Sequence, residues 1–140
     1  MKYWLVKSEP FKYSWEQFII DGRAQWDGVR NYQARNNLNE MKLGDLVLYY
    51  HSNEGLAIVG IAEVVKESYP DPTINEGDWV VVDIVPVREL VYPVTLQQIK
   101  KDERLKNIGL VRQGRLSVVQ ISKEEFEIIT ENQVTKKTSQ

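Results

Sequence analysis

Apolar residues along the chain fall into short β-like runs separated by helical repeats. Runs rich in β-branched and aromatic residues that end at turn residues are typical of strands. The predicted strands cover residues 2–7, 46–50, 57–66, 79–87 and 116–121. Ser52-Asn53-Glu54-Gly55 joins the second run to the third, which predicts an antiparallel hairpin. Pro86 near the end of the fourth run indicates an edge position or a bulge.

Capping patterns place short helices between these strands. A Ser or Thr followed three residues later by Glu or Gln closes a helix start with reciprocal hydrogen bonds. The pattern begins at Ser14, Thr95 and Ser122, and a further helix is predicted over 31–40. Gly22 ends the first helix, and one helical face after Thr95 would carry Leu96, Ile99 and Leu105.

The order of these elements predicts one mixed α+β domain. Two central strands joined by a tight turn do not fit regular βαβ alternation, so we expect a mixed barrel of about five or six strands. A chain of 140 residues buries one sizeable core. We therefore expect a single domain over 1–131 and a polar tail over 132–140. The segment from Pro70-Asp71-Pro72 to Gly77 is expected to be an exposed loop.

Composition excludes several classes of protein. Hydrophobic residues make up 42% and charged residues 27%, which argues against disorder, and no apolar run is long enough to span a bilayer. The absence of cysteine removes thiolate chemistry and fits a reducing compartment, so a cytoplasmic location is expected. A net charge of −2 argues against a broad electrostatic grip on duplex DNA. Any nucleic-acid contact must therefore be local.

The segment Trp26 to Asn36 concentrates the candidate chemistry. It carries an indole, two arginines, a turn glycine and several amides in a stretch too polar for a core. Guanidinium and indole faces stack on flat rings, and amides bond to ring edges, so this composition suits a nucleobase. The alternative is a plain helix start, with Asn31 as its N-cap.

Polar residues outside this segment are further candidates for chemistry. Lys7 and Glu9 either pair with each other or present a cation and an acceptor to a base edge. His51 is the sole histidine, so a histidine metal site or a Ser-His-Asp relay is not expected. No spacing among the carboxylates is a catalytic signature. Arg112 and Arg115 flank Gly114 and suit phosphate contacts.

Several long motifs together resemble the EVE domain family over about residues 2–130. They are Tyr3-Trp4-Leu5-Val6-Lys7-Ser8-Glu9-Pro10, Trp26-Asp27-Gly28-Val29-Arg30-Asn31-Tyr32-Gln33-Ala34-Arg35-Asn36, Tyr49-Tyr50-His51-Ser52, Tyr69-Pro70-Asp71-Pro72-Thr73, Pro93-Val94-Thr95-Leu96 and Arg112-Gln113-Gly114-Arg115-Leu116-Ser117-Val118. The resemblance implies a PUA-like fold, a partly open β-barrel with peripheral short helices, related to the YTH and ASCH domains.

The resemblance also implies a function and a set of site residues. Family members are regarded as readers of modified bases in nucleic acid. Carried over by motif, the expected nucleobase-binding residues are Trp4, Lys7, Ser8, Glu9, Trp26, Gly28, Val29, Arg30, Asn31, His51, Ser52, Asn53 and Ser117. The expected phosphate-binding residues are Arg35, Arg112 and Arg115.

The sequence therefore predicts a non-catalytic module that binds a modified nucleobase in DNA or RNA. No cofactor, metal or membrane is expected, and the chain is expected to be a monomer. Two alternatives stay open at this point. One is a small hydrolase of a modified nucleoside, in which Lys7, Glu9 or Asp27 would serve chemistry, and the other is a protein-interaction adaptor.

Overall fold

Six strands form one mixed sheet in the computed structural model, which describes the backbone of residues 1–138 and the side chains of 1–131 and of Gln133. The strands are β1 (Tyr3–Ser8), β2 (Ala24–Gln25), β3 (Leu46–His51), β4 (Ala57–Pro70), β5 (Val80–Thr95) and β6 (Val118–Ile121), in the order β2-β5-β4-β3-β1-β6. β1 runs parallel to β3, and the other pairs are antiparallel. The α+β class is confirmed, with a sheet that is not closed into a barrel.

Five α-helices surround the sheet within residues 1–138. They are α1 (Trp15–Asp21), α2 (Tyr32–Glu40), α3 (Leu96–Lys101), α4 (Gly109–Arg112) and α5 (Lys123–Thr138). All three predicted helix starts are confirmed, and reciprocal bonds form at Thr95 and at Ser122. At Ser14 only one of the two expected bonds forms: its hydroxyl accepts from the Gln17 backbone, while the Gln17 side chain donates to Asp21. Because each cap is a local device, its residues specify it without help from the rest of the fold.

The structure differs from the pattern in several elements. The single helix expected after Thr95 is wrong: α3 ends at Lys101, and a separate 3-10 turn, Glu103–Leu105, starts where the side chain of Asp102 accepts from the Arg104 backbone. The two-residue strand β2 is too short for periodicity to show. The last helix continues through the expected tail to Thr138, and residues 139–140 lie outside the described part.

The predicted hairpin and proline position are confirmed. β3 and β4 pair antiparallel, from Leu46 opposite Glu63 to His51 opposite Ala57. In β5, Pro86 faces Ala62 at a register shift, beyond the two β5 residues that pair with β2. A residue without an N–H is tolerated there because the ladder is interrupted.

An aromatic cluster fills the core beside β3, and Tyr49 is its centre. The Tyr49 ring stacks on Phe18 at 5.4 Å and meets Trp15 and Trp26 edge-on at 5.3 and 5.5 Å. Opposite Tyr49 on β4 stands Gly60, where any Cβ would overlap the Trp15 ring. The missing side chain of Gly60 therefore makes the room that Trp15 occupies.

A buried carboxylate joins the loop after β2 to the loop between β4 and β5. The Asp71 side chain has 0% exposure, and its oxygens accept from the Gly28 N–H at 3.2 Å, the Arg30 guanidinium at 2.9 Å and the Thr73 hydroxyl at 2.6 Å. Burial alone would raise the pKa of Asp71, but these hydrogen bonds outweigh it and lower the pKa to about 2. The expectation that this loop is exposed is therefore wrong at Asp71.

Gly60→Ala tests the space beside the aromatic cluster. Because the added methyl would displace Trp15, we expect a loss of about 1–3 kcal/mol in the free energy of unfolding, measured by urea denaturation. Gly114→Ala is the matched control, since a Cβ there meets its nearest atom at 3.9 Å. Equal stabilities for the two variants would contradict this account.

Asp71→Asn tests the carboxylate that joins the two loops. Because folding lowers this pKa from 3.8 to about 2, the ionised form stabilises the fold above pH 4, and this stability is lost as pH falls through about 2. In urea denaturation, the free energy of unfolding of the wild type should exceed that of the variant by about 2 kcal/mol at pH 6 and by much less at pH 2. The exposed neighbour Asp78→Asn should show a small difference at both pH values. A constant offset for Asp71→Asn across this range would count against the ionised carboxylate.

Candidate functional site

A cavity of about 890 Å³ opens beside the C-terminal end of β1. Three parts of the chain line most of it: the turn after β1, the loop between β2 and α2, and the segment before β6. Ten predicted site residues line this cavity, namely Lys7, Ser8, Glu9, Trp26, Gly28, Val29, Arg30, Ser52, Ser117 and Arg115. Residues far apart in sequence are thus brought to one place.

The first wall is the turn from Glu9 to Tyr13, which is tied to the sheet through one carbonyl. The Tyr13 carbonyl accepts hydrogen bonds from the hydroxyls of Ser8 and Tyr49, both at 2.8 Å. The Glu9 carbonyl accepts from the backbone N–H groups of Lys12 and Tyr13. Because Tyr49 is fully buried, this wall is fixed directly to the core.

The second wall is the loop that carries Trp26. Its backbone N–H donates to the Val82 carbonyl at 2.8 Å, and its indole, 9% exposed, meets the Tyr13 ring edge-on at 6.3 Å. The indole N–H has no hydrogen-bond partner within the described residues and is not sealed from solvent. Trp26 is therefore both a core residue and a cavity residue with a free donor.

The third wall is the turn before β6. The Lys7 ammonium donates to the Gly114 carbonyl at 2.7 Å, and the Lys7 backbone N–H donates to the Ser117 carbonyl at 2.9 Å. Burial lowers the pKa of Lys7. Arg115 forms no ion pair within the described residues, so its guanidinium at the cavity edge is available to an anion.

Two further charged groups of the cavity already have partners. The guanidinium of Arg23 is paired with Asp83 at 2.8 Å, and that of Arg30 with Asp71 at 2.9 Å. At the rim, burial raises the pKa of Tyr13, and a hydrogen bond to Asp21 raises it further. Tyr13 is therefore a neutral donor at physiological pH, whereas the arginines are engaged in holding the walls.

The Glu9 carboxylate differs from its neighbours. Its Oε2 atom is buried and makes no hydrogen bond within the described residues. The Lys12 ammonium lies 3.1 Å away, close enough for an ion pair, but its direction does not meet hydrogen-bond geometry. Lys7, which the sequence offers as its alternative partner, bonds to Gly114 instead. The Oε2 atom therefore lacks a hydrogen bond in the cavity wall, and its ionic contact within the described residues is with the exposed Lys12 ammonium.

Six predicted site residues do not line this cavity: Trp4, Asn31, His51, Asn53, Arg35 and Arg112. Trp4 is fully buried because its indole N–H donates to Asp45 at 2.9 Å. His51 accepts from the Trp15 backbone at 3.1 Å, and burial lowers its pKa against the opposing charge of Glu16. The Trp4 side chain is held inside the protein, whereas His51 is half-buried and engaged by the backbone of α1.

The other four residues lie around the cavity at the surface. The Asn31 side chain caps α2 by accepting from the Ala34 N–H, which is the plain helix start left open by the sequence. Arg112 donates to the Lys106 carbonyl at 2.7 Å and lines a small hollow with Asn31. Asn53 adopts φ 68° in the turn after β3. Arg35 contacts the Tyr32 ring.

Several cavity residues were not singled out from the sequence, and Tyr13, Arg23 and Gln25 are the clearest examples. Tyr13 stands in the loop after Ser8-Glu9-Pro10, so an aromatic next to that motif is a usable signal. Arg23 and Gln25 flank Ala24 in β2, where nothing local marks them. Asp71 has a signal in the Asp-Pro-Thr spacing, which is typical of an aspartate that bonds its own backbone two residues on.

A second cavity of about 470 Å³ lies between β5, α3 and α5 and contains none of the predicted site residues. No group of His, Cys, Asp and Glu side chains in the described part is arranged to hold a metal ion. Among the described helices, none has the length and apolar character needed to cross a membrane.

Comparisons with known proteins agree with this architecture. In sequence, mouse thymocyte nuclear protein 1 is 38% identical, over 91% of this chain and 71% of its own length. Among solved structures, a protein from Agrobacterium tumefaciens superposes with a TM-score of 0.93 at 46% identity, covering 95% of this chain and 93% of its own.

Another similar structure was solved with a ligand. Human thymocyte nuclear protein 1 in complex with DNA containing 5-methylcytosine superposes with a TM-score of 0.88 at 34% identity, covering 95% of this chain and 98% of its own. The EVE domain pattern matches residues 2–132, nearly the whole length. The chain therefore belongs to the EVE domain family.

Proposed function

We propose that this protein is a non-catalytic module that holds one modified cytosine of DNA, turned out of its strand, in the cavity beside β1. The observation that carries this proposal is the buried Glu9 oxygen without a hydrogen-bond partner in the cavity wall. The human relative solved with DNA containing 5-methylcytosine supports the choice of ligand.

The cavity has room for a base turned out of its strand. A volume of about 890 Å³ lies within the range of small-ligand pockets. Proteins that inspect one base of a strand commonly extrude it into such a pocket. A net charge of −2 also favours local recognition over a broad grip on the backbone.

The chemistry of the wall suits a base with an exocyclic amine. Cytosine carries an amino group at C4, and carboxylates accept hydrogen bonds from it. Thymine has the same ring and a methyl at C5 but presents a carbonyl oxygen at C4, which a carboxylate repels. Glu9 would therefore distinguish 5-methylcytosine from thymine, although both carry the same methyl group.

Aromatic side chains supply the apolar part of this interaction. Trp26 and Tyr13 both line the cavity, and their rings meet edge-on at 6.3 Å, so they form an angled apolar surface. A base and its methyl group gain contact with such a surface, and each aromatic–base contact of this kind is worth about 1–3 kcal/mol. Burial of Trp26 among core residues keeps this surface in place without a ligand.

Binding and turnover of nucleosides decide between this proposal and its alternatives. The 2′-hydroxyl distinguishes RNA from DNA, so a titration with 5-methylcytidine beside 5-methyl-2′-deoxycytidine decides between the two sugars. Release of a free base from a nucleoside would favour the hydrolase, and failure to bind any nucleoside or oligonucleotide would favour the adaptor. The cytoplasmic location and the monomeric state stay predictions.

Glu9→Gln tests the proposed acceptor. A glutamine can donate to the thymine oxygen, so the preference for 5-methyl-2′-deoxycytidine over thymidine should fall by about 5- to 100-fold. Isothermal titration calorimetry with both nucleosides measures this ratio. Glu16→Gln on α1 is the control, because Glu16 is exposed and does not line the cavity. An unchanged preference in Glu9→Gln would remove Glu9 from base recognition.

Trp26→Phe tests the aromatic wall. A smaller ring without an N–H should weaken binding of 5-methyl-2′-deoxycytidine by about 3- to 10-fold. Most of the tryptophan quenching caused by the ligand should also be lost in a fluorescence titration. Trp4→Phe is the control, because Trp4 is fully buried and absent from the cavity lining. Full quenching in folded Trp26→Phe would place the ligand elsewhere.

A further inference from the structure

Two stacked aromatic rings lie on the surface beside the cavity. Tyr32, the first residue of α2, and Trp79, just before β5, have ring centres 5.1 Å apart and planes inclined by 20°. Trp79 is half-buried, and Gly77 with φ 81° lets the chain pass close to its indole. Tyr32 is 67% exposed, so much of its ring faces solvent.

The position of Arg35 shows which side of this stack is open. Its guanidinium carbon lies 5.1 Å from the Tyr32 ring centre and 6.0 Å from that of Trp79. If Arg35 covered the outer face of Tyr32, its distance to Trp79 would approach twice the 5.1 Å spacing of the rings. Arg35 therefore lies beside the stack, and the outer face of Tyr32 is left uncovered by it.

The cation beside the stack has no acidic partner. Within the described residues, Arg35 forms no ion pair, and its guanidinium donates to the neighbouring Asn36 side chain at 2.9 Å. An arginine next to an open aromatic face combines a phosphate contact with a stacking surface, which is typical of single-strand binding.

The stack is continuous with the cavity through Arg30. The Arg30 side chain lines the cavity, and its guanidinium carbon lies 5.7 Å from the Trp79 ring centre. The same guanidinium is fixed by Asp71, which leaves Trp79 next to an immobilised group. The stack and the cavity therefore meet at Arg30, so a strand whose base enters the cavity can continue toward Tyr32.

We propose that the outer face of Tyr32 stacks the base adjacent to the one in the cavity, and that Arg35 contacts the phosphate between these two nucleotides. This inference rests on the proposed function, because it needs a base in the cavity. It assigns to the EVE domain a second nucleotide position, which recognises a strand rather than a free nucleoside.

The test measures the affinities of the wild type and of Tyr32→Ala for three ligands. They are 5-methyl-2′-deoxycytidine, a single-stranded DNA nonamer with one central 5-methylcytosine, and the same nonamer with abasic residues on both sides of it. We expect Tyr32→Ala to weaken binding of the intact nonamer by about 5- to 100-fold and to leave the affinities for the nucleoside and the abasic nonamer unchanged. Tyr32→Phe, which keeps the ring, should restore the wild-type affinity for the intact nonamer.

Arg35→Ala provides an independent variant, with Arg88→Ala as its control because Arg88 is exposed and lines neither the cavity nor the stack. Loss of one phosphate contact should lower the salt dependence of nonamer binding by about one unit of slope. If the wild type binds both nucleoside and nonamer but Tyr32→Ala binds them equally well, the second nucleotide position is wrong and the proposed function stands. If the wild type binds neither ligand, both proposals fail.

Discussion

The cavity depends on Tyr49, because this one side chain joins the core to the cavity wall. Its ring is fully buried between Phe18 and the two tryptophans at positions 15 and 26, while its hydroxyl donates to the carbonyl of Tyr13. Burial raises the pKa of Tyr49 to about 12, although the neighbouring Ser8 hydroxyl opposes this shift. The hydroxyl therefore stays a donor, and any shift of the core would be transmitted to the turn that carries Glu9.

A second constraint fixes the opposite wall. The loop with Trp26 is short and polar, and such a loop would be mobile without long-range partners. Asp71 supplies these partners from a position more than 40 residues away, by accepting from both the Gly28 backbone and the Arg30 guanidinium. Gly28 takes φ 78°, which only glycine adopts without strain, so the loop can turn its N–H toward Asp71. Because the Arg30 guanidinium is paired with Asp71, it holds the loop in position.

Local features of this fold were predictable from sequence, and long-range ones were not. The helix starts at Ser14, Thr95 and Ser122 follow from hydrogen bonds within four residues, so the pattern alone specifies them. The break of the helix after Lys101 depends on a cap at Asp102 that competes with the apolar repeat. Neither the pairing of Arg30 nor the burial of Asp71 is visible in their own neighbourhoods.

The site shows the same division. Ten of the sixteen residues expected from the family motifs line one cavity, because the fold brings these motif segments together. Trp4 and His51 belong to the same motifs but point to partners inside the protein, Asp45 and the Trp15 backbone. A motif therefore identifies the segment that forms a wall, whereas the direction of each side chain depends on strand alternation and on partners distant in sequence.

The Glu9 oxygen without a hydrogen bond lowers the stability of the fold. A buried acceptor without a hydrogen bond destabilises a protein by about 1–3 kcal/mol, and the partial exposure of Glu9 and the nearby Lys12 reduce that penalty here. The walls around it are held by Asp71 and Tyr49, so the side chain cannot relieve the cost by a collapse of the cavity. A ligand that donates a hydrogen bond would remove this cost on binding. Preorganisation of the walls and this acceptor thus act together, since rigid walls keep Oε2 without a hydrogen bond, in ionic contact with Lys12, until a complementary base enters.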